Sequence, residues 1–402
     1  MQLIYIAFLA FVALGSPDGL IGLAFPSMQI TFGLRASALG VFLLAGTTGA
    51  LFTSFNSGWI TQRLGIGKTL TIAFVLRGSA LIGIMIFPRW ELMVVSAFFL
   101  GMGAGSIDAG LNTFIATFNN NRLMNWLHGC FGIGALTGPL MMSALFSADL
   151  SWRIGYGVVG VLHLFLAVLF WTTRALWIVP HDDELSHESA RNISPLKTFR
   201  LPIVWVGIAI FMLYAGLEVS AGNWSFSLFT IGRGIEPGSA ALWVSLYWGS
   251  FTFGRFFFGA LGDRLTISTQ IRGALAGAIF ATLLIWLNPT PLIGLLGLGL
   301  LGFCLAPAFP VLIGATPKRV GKKHAANAIG FQVGAAGIGV GVLPWLAGLL
   351  VENYTPPLLQ LTRAPFPLAE TLSFNPGLEV IGVFLVALSL ILTVLYFMWE
   401  RA

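Results

Sequence analysis

Twelve stretches of about 20 apolar residues, set apart by charged or proline-rich breaks, decide what this chain can become. They lie near residues 3–25, 37–58, 69–87, 92–117, 124–146, 153–178, 202–229, 240–261, 270–288, 291–316, 324–350 and 377–399. A hydrocarbon core of about 30 Å is crossed by roughly 20 helical residues, and a helix satisfies its own backbone polar groups where no water can. The expected fold is therefore an all-α membrane protein of twelve transmembrane helices. Composition agrees: 9% of the 402 residues are charged, against about 25% in soluble chains.

The first run, Leu3 to Leu14 and beyond, could pass for a signal-peptide core. No Lys or Arg precedes it and the apolar stretch continues past Asp18, so it is expected to stay as the first span. Cys130 and Cys304 sit among Phe and Gly and read as packing residues. "GMGAG" (Gly101–Gly105) and "GIGVG" (Gly337–Gly341) have no strand before them and no Lys-Ser/Thr after them, so they are helix-packing faces and not phosphate loops. With no H-E-x-x-H or G-x-S-x-G either, no enzyme, cofactor or metal is expected.

"PHDDELSHESARNISPLKTFR" (Pro180–Arg200) is the one long, strongly polar stretch. It divides the chain into an N-terminal six-helix bundle over 1–178, a cytoplasmic linker over 179–200 and a C-terminal six-helix bundle over 201–402. With both termini inside, fourteen basic residues fall in the cytoplasm and five outside, which favours that orientation under the positive-inside rule. The formal net charge of +6 then reflects topology and implies no nucleic-acid partner. A shift of 201 residues places Gly58-x-x-x-Gln62-Arg63 on Gly259-x-x-x-Asp263-Arg264, Gly101 on Gly302, Gly129 on Gly330 and Gly138 on Gly339. Two pseudo-symmetric six-helix repeats, with substrate near the midplane between them, are the architecture of alternating-access transporters.

At these positions the chain resembles the major facilitator superfamily (MFS), whose loop between helices 2 and 3 carries G-x-x-x-D-R-x-G-[RK]-[RK]. Here it reads "GWITQRLGIGK" (Gly58–Lys68), with Gln62 in place of the acid and Ile66-Gly67 in place of a basic pair. The resemblance implies an MFS fold and a conformational latch at Gly58, Arg63, Gly65, Asp263 and Arg264. Within the superfamily, "SPDGLIGLAFPSM", "GSIDAGLNTF" and "NWLHGCFGIGALTGP" resemble the fucose-permease branch of sugar and proton symporters. That branch uses carboxylates in helices 1 and 4, which match Asp18 and Asp108; Asp stands where Glu is usual in helix 4.

Ionisable residues inside a membrane each cost about 2.5–3.5 kcal/mol at a helix centre, so the five here mark chemistry. Asp18 lies between Pro17 and Gly19, which loosen the helix, and such a break is tolerated only beside a cavity. Glu218 shifts by 201 onto position 17, giving the second half a carboxylate at nearly the same depth. Asp108 has Asn112 one turn on. Asp18, Asp108 and Glu218 are the proton-coupling candidates. Arg77 and Asp108 stand at similar depth and are expected to form an intramembrane ion pair. Arg255, near the end of its run, is expected to snorkel or to pair with a loop acid. Amides and aromatics suited to a pyranose give the substrate-binding candidates Asn112, Trp126, His128, Asn223, Trp224, Trp248 and Gln332; packing is the alternative reading for His128.

The function expected is proton-coupled symport of a sugar or similar small polar solute by a monomer in the plasma (inner) membrane, with membrane lipid around it. Sodium stays open, because a carboxylate near unwound carbonyls can hold it. Two other readings remain: a proton-antiport exporter of amphipathic compounds, which a cavity of Phe and Met favours, and a transporter-like solute sensor.

Overall fold

A computed structural model of the chain describes residues 2–116, 118, 121–177, 195–261, 264–353 and 376–401. The first span is made of α1 (Gln2–Gly15) and α2 (Leu20–Phe32). It is followed by α3 (Ala38–Leu64), α4 (Ile66–Ile86), α5 (Trp90–Ala116), α6 (Asn121–Ser147) and α7 (Trp152–Thr173). A short α8 (Pro195–Phe199) leads to α9 (Pro202–Ser227), α10 (Pro237–Leu261) and α11 (Ile267–Leu287). The chain closes with α12 (Pro291–Leu305) and α13 (Ala308–Val320), then α14 (Lys322–Asn353) and α15 (Val380–Arg401). Among the described residues eleven spans are long and apolar enough to cross a membrane. The twelfth is α10, whose 25 residues reach about 37 Å at a rise of 1.5 Å per residue; Ser245, Ser250, Thr252 and Arg255 dilute its apolar character.

Two spans are broken. Pro17 and Gly19 interrupt the first, as expected, and the Asp18 N–H turns back to the Gly15 carbonyl at 3.2 Å in a tightened turn. Ala306 and Pro307 interrupt the tenth, between α12 and α13, a break the sequence reading did not mark. There the Leu305 carbonyl accepts a hydrogen bond from the Tyr214 hydroxyl at 3.0 Å.

The 201-residue repeat is a repeat of contacts. Gly101 on α5 presses against the Gly46 carbonyl of α3, and Gly302 on α12 presses against the Tyr247 carbonyl of α10; both the glycines and their partners are 201 positions apart. Only a residue without Cβ allows backbones this near.

The halves join at the end of the bundle away from the chain termini. The Ser37 N–H donates to Glu352 at 2.7 Å, and the Ser143 hydroxyl donates to the Gly238 carbonyl at 2.9 Å. Phe146 stacks on Phe226 with centroids 5.6 Å apart. At Gly22 a Cβ would come within 2.6 Å of the Asn223 Cα, so glycine lets α2 lie flat on α9. One apolar cluster joins both halves at this far end and continues through the C-terminal half to Ile271, Leu312 and Trp399. Near the termini the N-terminal half has a core of its own around Phe74, Leu111 and Phe170, and the C-terminal half has a small one at Val204, Val320 and Ala328.

At the far end Glu236 caps α10. Its carboxylate accepts from the Gly238 and Ser239 N–H groups, both at 2.6 Å. Burial pushes this carboxyl up, but the hydrogen bonds from Ser239 and Gly238 outweigh that and hold it below the ordinary 4.5. Glu236→Ala should lower stability by about 1 kcal/mol, the worth of an N-cap. The cap is at full strength above pH 4.5 and fades as pH falls through the lowered folded value, so thermal midpoints of the two proteins should converge in acid. A gap that stays constant with pH would sink the assignment.

Candidate functional site

The break at Asp18 organises the site. In an unbroken helix the Leu14 carbonyl would accept from the Asp18 N–H; here that N–H bonds to Gly15 and the Leu14 carbonyl is set free. A freed carbonyl in a membrane interior needs a donor, and Arg77 supplies it from α4, with Nη2 at 2.7 Å. Arg77 is 2% exposed. Its Nη1 reaches the Leu100 carbonyl at 3.4 Å, and its Nε donates to His163 Nε2 at 3.3 Å. That bond fixes the His163 tautomer: Nε2 accepts, so Nδ1 carries the proton and donates to the Val159 carbonyl at 2.8 Å. A chain of hydrogen bonds thus runs from α7 through α4 to the broken end of α1.

The expected Arg77–Asp108 ion pair is corrected by this arrangement. Gly103 on α5 is the residue that lies on the Arg77 stem, and five residues onward the helix has turned by about 140°, which points Asp108 elsewhere. Asp108 instead accepts from the Asn112 amide at 3.0 Å. It is exposed, and among the described residues it makes no ion pair.

Asp18 is exposed between buried Pro17 and Gly19 and lies within electrostatic reach of Arg77. Glu218, half-buried on α9, lies within reach of both Asp18 and Arg255, and Arg255 within reach of His128. The charges run Arg77, Asp18, Glu218, Arg255, across the interface between the halves. None of these pairs closes to a 4.0 Å salt bridge among the described residues. The 201-residue shift brought Asp18 and Glu218 to one depth in the sequence, and the structure brings them to one place.

Beside this row a cavity of about 1190 Å³ opens at the end of the bundle that carries the termini. Its walls are the first half of α6, the last half of α10, α13 and the start of α11. Three of the substrate-binding candidates, Trp126, His128 and Trp248, line it, and so does Arg255. Arg255 is therefore no snorkelling residue: its guanidinium lies over the Phe251 ring at 4.5 Å, inside the cavity wall. Sequence position alone could not show this, because the rotation of α10 is set by its packing on α6.

Other expected residues have structural duties. Trp224 is 1% exposed, donates its indole N–H to the Pro344 carbonyl at 3.1 Å and packs edge-on to Phe25, so it offers no face to a solute. Gln332, also 1% exposed, accepts from the Thr316 hydroxyl at 2.9 Å and knits α13 to α14. Asn223 is buried beneath Gly22 where the halves meet. Of the latch residues, Gly58, Arg63 and Arg264 are exposed. Arg63 stacks on Trp59 at 4.5 Å, and Gly65 turns the chain with φ of 76°; Asp263 lies outside the described residues.

Comparison with known proteins agrees with this architecture. The family model described as Major Facilitator Superfamily matches residues 6–299. The glucose/mannose transporter GlcP of Bacillus subtilis (strain 168) is 27% identical over 325 residues, covering 76% of this chain and 78% of that protein. Sodium-dependent glucose transporter 1 of Homo sapiens is 22% identical over 390 residues, covering 86% and 73%. Among solved structures, the nucleoside transporter NupG matches with a TM-score of 0.73 at 16% identity over 98% of each chain, which shows a shared fold.

The Arg77 chain makes a stability prediction. Arg77→Met leaves the Leu14 carbonyl and His163 without their donor, and His163→Phe removes the acceptor; each orphaned buried group costs about 1–3 kcal/mol. Because both act on one chain of bonds, the double variant should lose clearly less than the sum. Unfolding of the purified variants in detergent measures this, and strict additivity would refute the coupling.

Proposed function

The chain belongs to the Major Facilitator Superfamily, and from that premise we propose that it imports a sugar together with protons by alternating access. The membrane is the plasma (inner) membrane with both termini in the cytoplasm, as the basic-residue bias supports. The cavity then faces the cytoplasm and the sealed far end faces outward. The sugar reading is supported by the glucose-transporting relatives named above.

The observation that carries proton coupling is the hydrogen bond from Arg77 to the Leu14 carbonyl. A broken membrane helix can hold sodium with its freed carbonyls and a nearby carboxylate. In this chain the freed carbonyl is already taken, and by a fixed positive charge that repels a second cation. A proton needs no coordination shell and can sit on Asp18. Coupling by protons is therefore favoured over sodium, whatever ion the human relative's name mentions.

Asp18 and Glu218 are like charges within electrostatic reach of each other, which closing halves would push together. Protonating one removes that repulsion, so proton and sugar together favour the closed arrangement and release from it follows proton loss. Ligands drive such a change only through different affinities for its two states. Asp108 with Asn112 forms a second carboxylate and amide pair that reads hydroxyls. Gly58, Arg63, Gly65, Asp263 and Arg264 form the latch that closes the cytoplasmic side.

One observation favours the exporter reading: Phe131, Phe251, Phe256, Phe258 and Phe309 all line the cavity. A thermal-stability screen separates the two, because hydrophobic cations would stabilise an exporter and sugars an importer. In proteoliposomes an imposed pH gradient should drive sugar uptake in the wild type, and a sodium gradient should not. Asp18→Asn should abolish uphill uptake while leaving sugar exchange at equal pH; gradient-driven uptake intact in that variant overturns the coupling role.

A further inference from the structure

The cavity wall holds two buried donors that the protein leaves unpartnered. Arg255 and Trp248 both line it; they stand seven residues apart on α10, nearly the same helical face. The Nε–H of Arg255 and the indole N–H of Trp248 are buried and make no hydrogen bond among the described residues. Between them lies Phe251, packed against both. The lining includes no Asp, Glu or Asn among the described residues, so no carboxylate of the wall itself competes for these donors. Thr252 donates its hydroxyl back to the Trp248 carbonyl at 2.8 Å, and Gln270 donates its amide to the Leu265 carbonyl at 3.1 Å. Two unpartnered buried donors side by side call for a ligand group that accepts from both. A carboxylate is acceptor only, matches the planar guanidinium fork and draws charge-assisted bonds.

We propose that the solute is an acidic sugar, a hexuronate, whose carboxylate seats on Arg255 beside the Trp248 N–H while its ring lies against Phe251. This rests on the sugar reading above and narrows it. Glu218 is in electrostatic reach of Arg255 without contacting it, so it draws the guanidinium without occupying its donors. His128, on the facing α6, is the other titratable group of the wall and supplies a further donor.

The test measures binding of sodium glucuronate, glucose and tetraphenylphosphonium to the purified full chain at one ionic strength, by thermal shift and calorimetry. The wild type should bind glucuronate at least about tenfold more tightly than glucose, the 1.4 kcal/mol that a charge-assisted bond readily exceeds. Arg255→Gln should remove that preference and Arg255→Lys should keep part of it, since the charge stays and the fork is lost. The wild-type comparison alone decides the matter if a variant fails to fold. Glucose bound as tightly as glucuronate, or a preference unchanged in Arg255→Gln, overturns the acidic-sugar inference and leaves the sugar reading standing. Binding of tetraphenylphosphonium with neither sugar, or of none of the three, overturns both.

Discussion

One buried hydrogen bond, from Arg77 to the Leu14 carbonyl, makes the rest of the site possible. Breaking a helix in the membrane interior frees carbonyls that lipid cannot satisfy, so a break persists only where protein supplies the donor. Arg77 supplies it at 2.7 Å while its other groups are held by His163 and the Leu100 carbonyl. A guanidinium is suited to this: its five donors serve three partners at once and it stays charged. The arrangement fixes α1 against α4 and α7 and leaves Asp18 beside a positive charge without the direct contact that would neutralise it.

The second constraint is where the halves are glued. The N-terminal half keeps a core of its own near the termini, whereas the shared apolar cluster runs from the far end through the C-terminal half to Trp399. Contacts between apolar side chains in lipid gain little from burial, so helix association there depends on close fit and polar bridges. Gly22 on Asn223, the Ser37 bond to Glu352 and the Ser143 bond to Gly238 are fits and bridges of this kind. Nearer the termini the halves meet again, where Gly129 lies on Phe256 and Gly132 on Thr252. Within each half the glycine seams, Gly101 on Gly46 and Gly302 on Tyr247, bring backbone against backbone.

Much of this was legible in the sequence because the membrane is a strict solvent. Twelve apolar runs, the 201-residue repeat and the loosened helix at Pro17–Gly19 follow from hydrophobicity and backbone chemistry, and the structure reproduces each. What the sequence could not show is the rotation of each helix about its axis. Depth put Arg77 opposite Asp108, but the Gly103 contact turns Asp108 away. Trp224 and Gln332 had the chemistry of sugar binders and were drawn inward by Pro344 and Thr316. Arg255 stands six positions from the end of its run, where snorkelling is expected; α10 turns it into the cavity. The break at Pro307 escaped notice because no charge marks it.

The charge row also constrains what can move through it. The formal charges of Arg77, Asp18, Glu218 and Arg255 sum to zero, so in the proposed cycle this row of the empty site would carry no net charge into low dielectric, where an unpaired ion costs several kcal/mol. A proton alone on Asp18 leaves the row with a surplus positive charge, and an anionic solute alone on Arg255 leaves it negative. Proton and acidic sugar bound together restore zero. In the proposed cycle each half-loaded form would carry the penalty, so only the empty and fully loaded proteins would pass easily between conformations, and that selectivity would couple one ligand to the other.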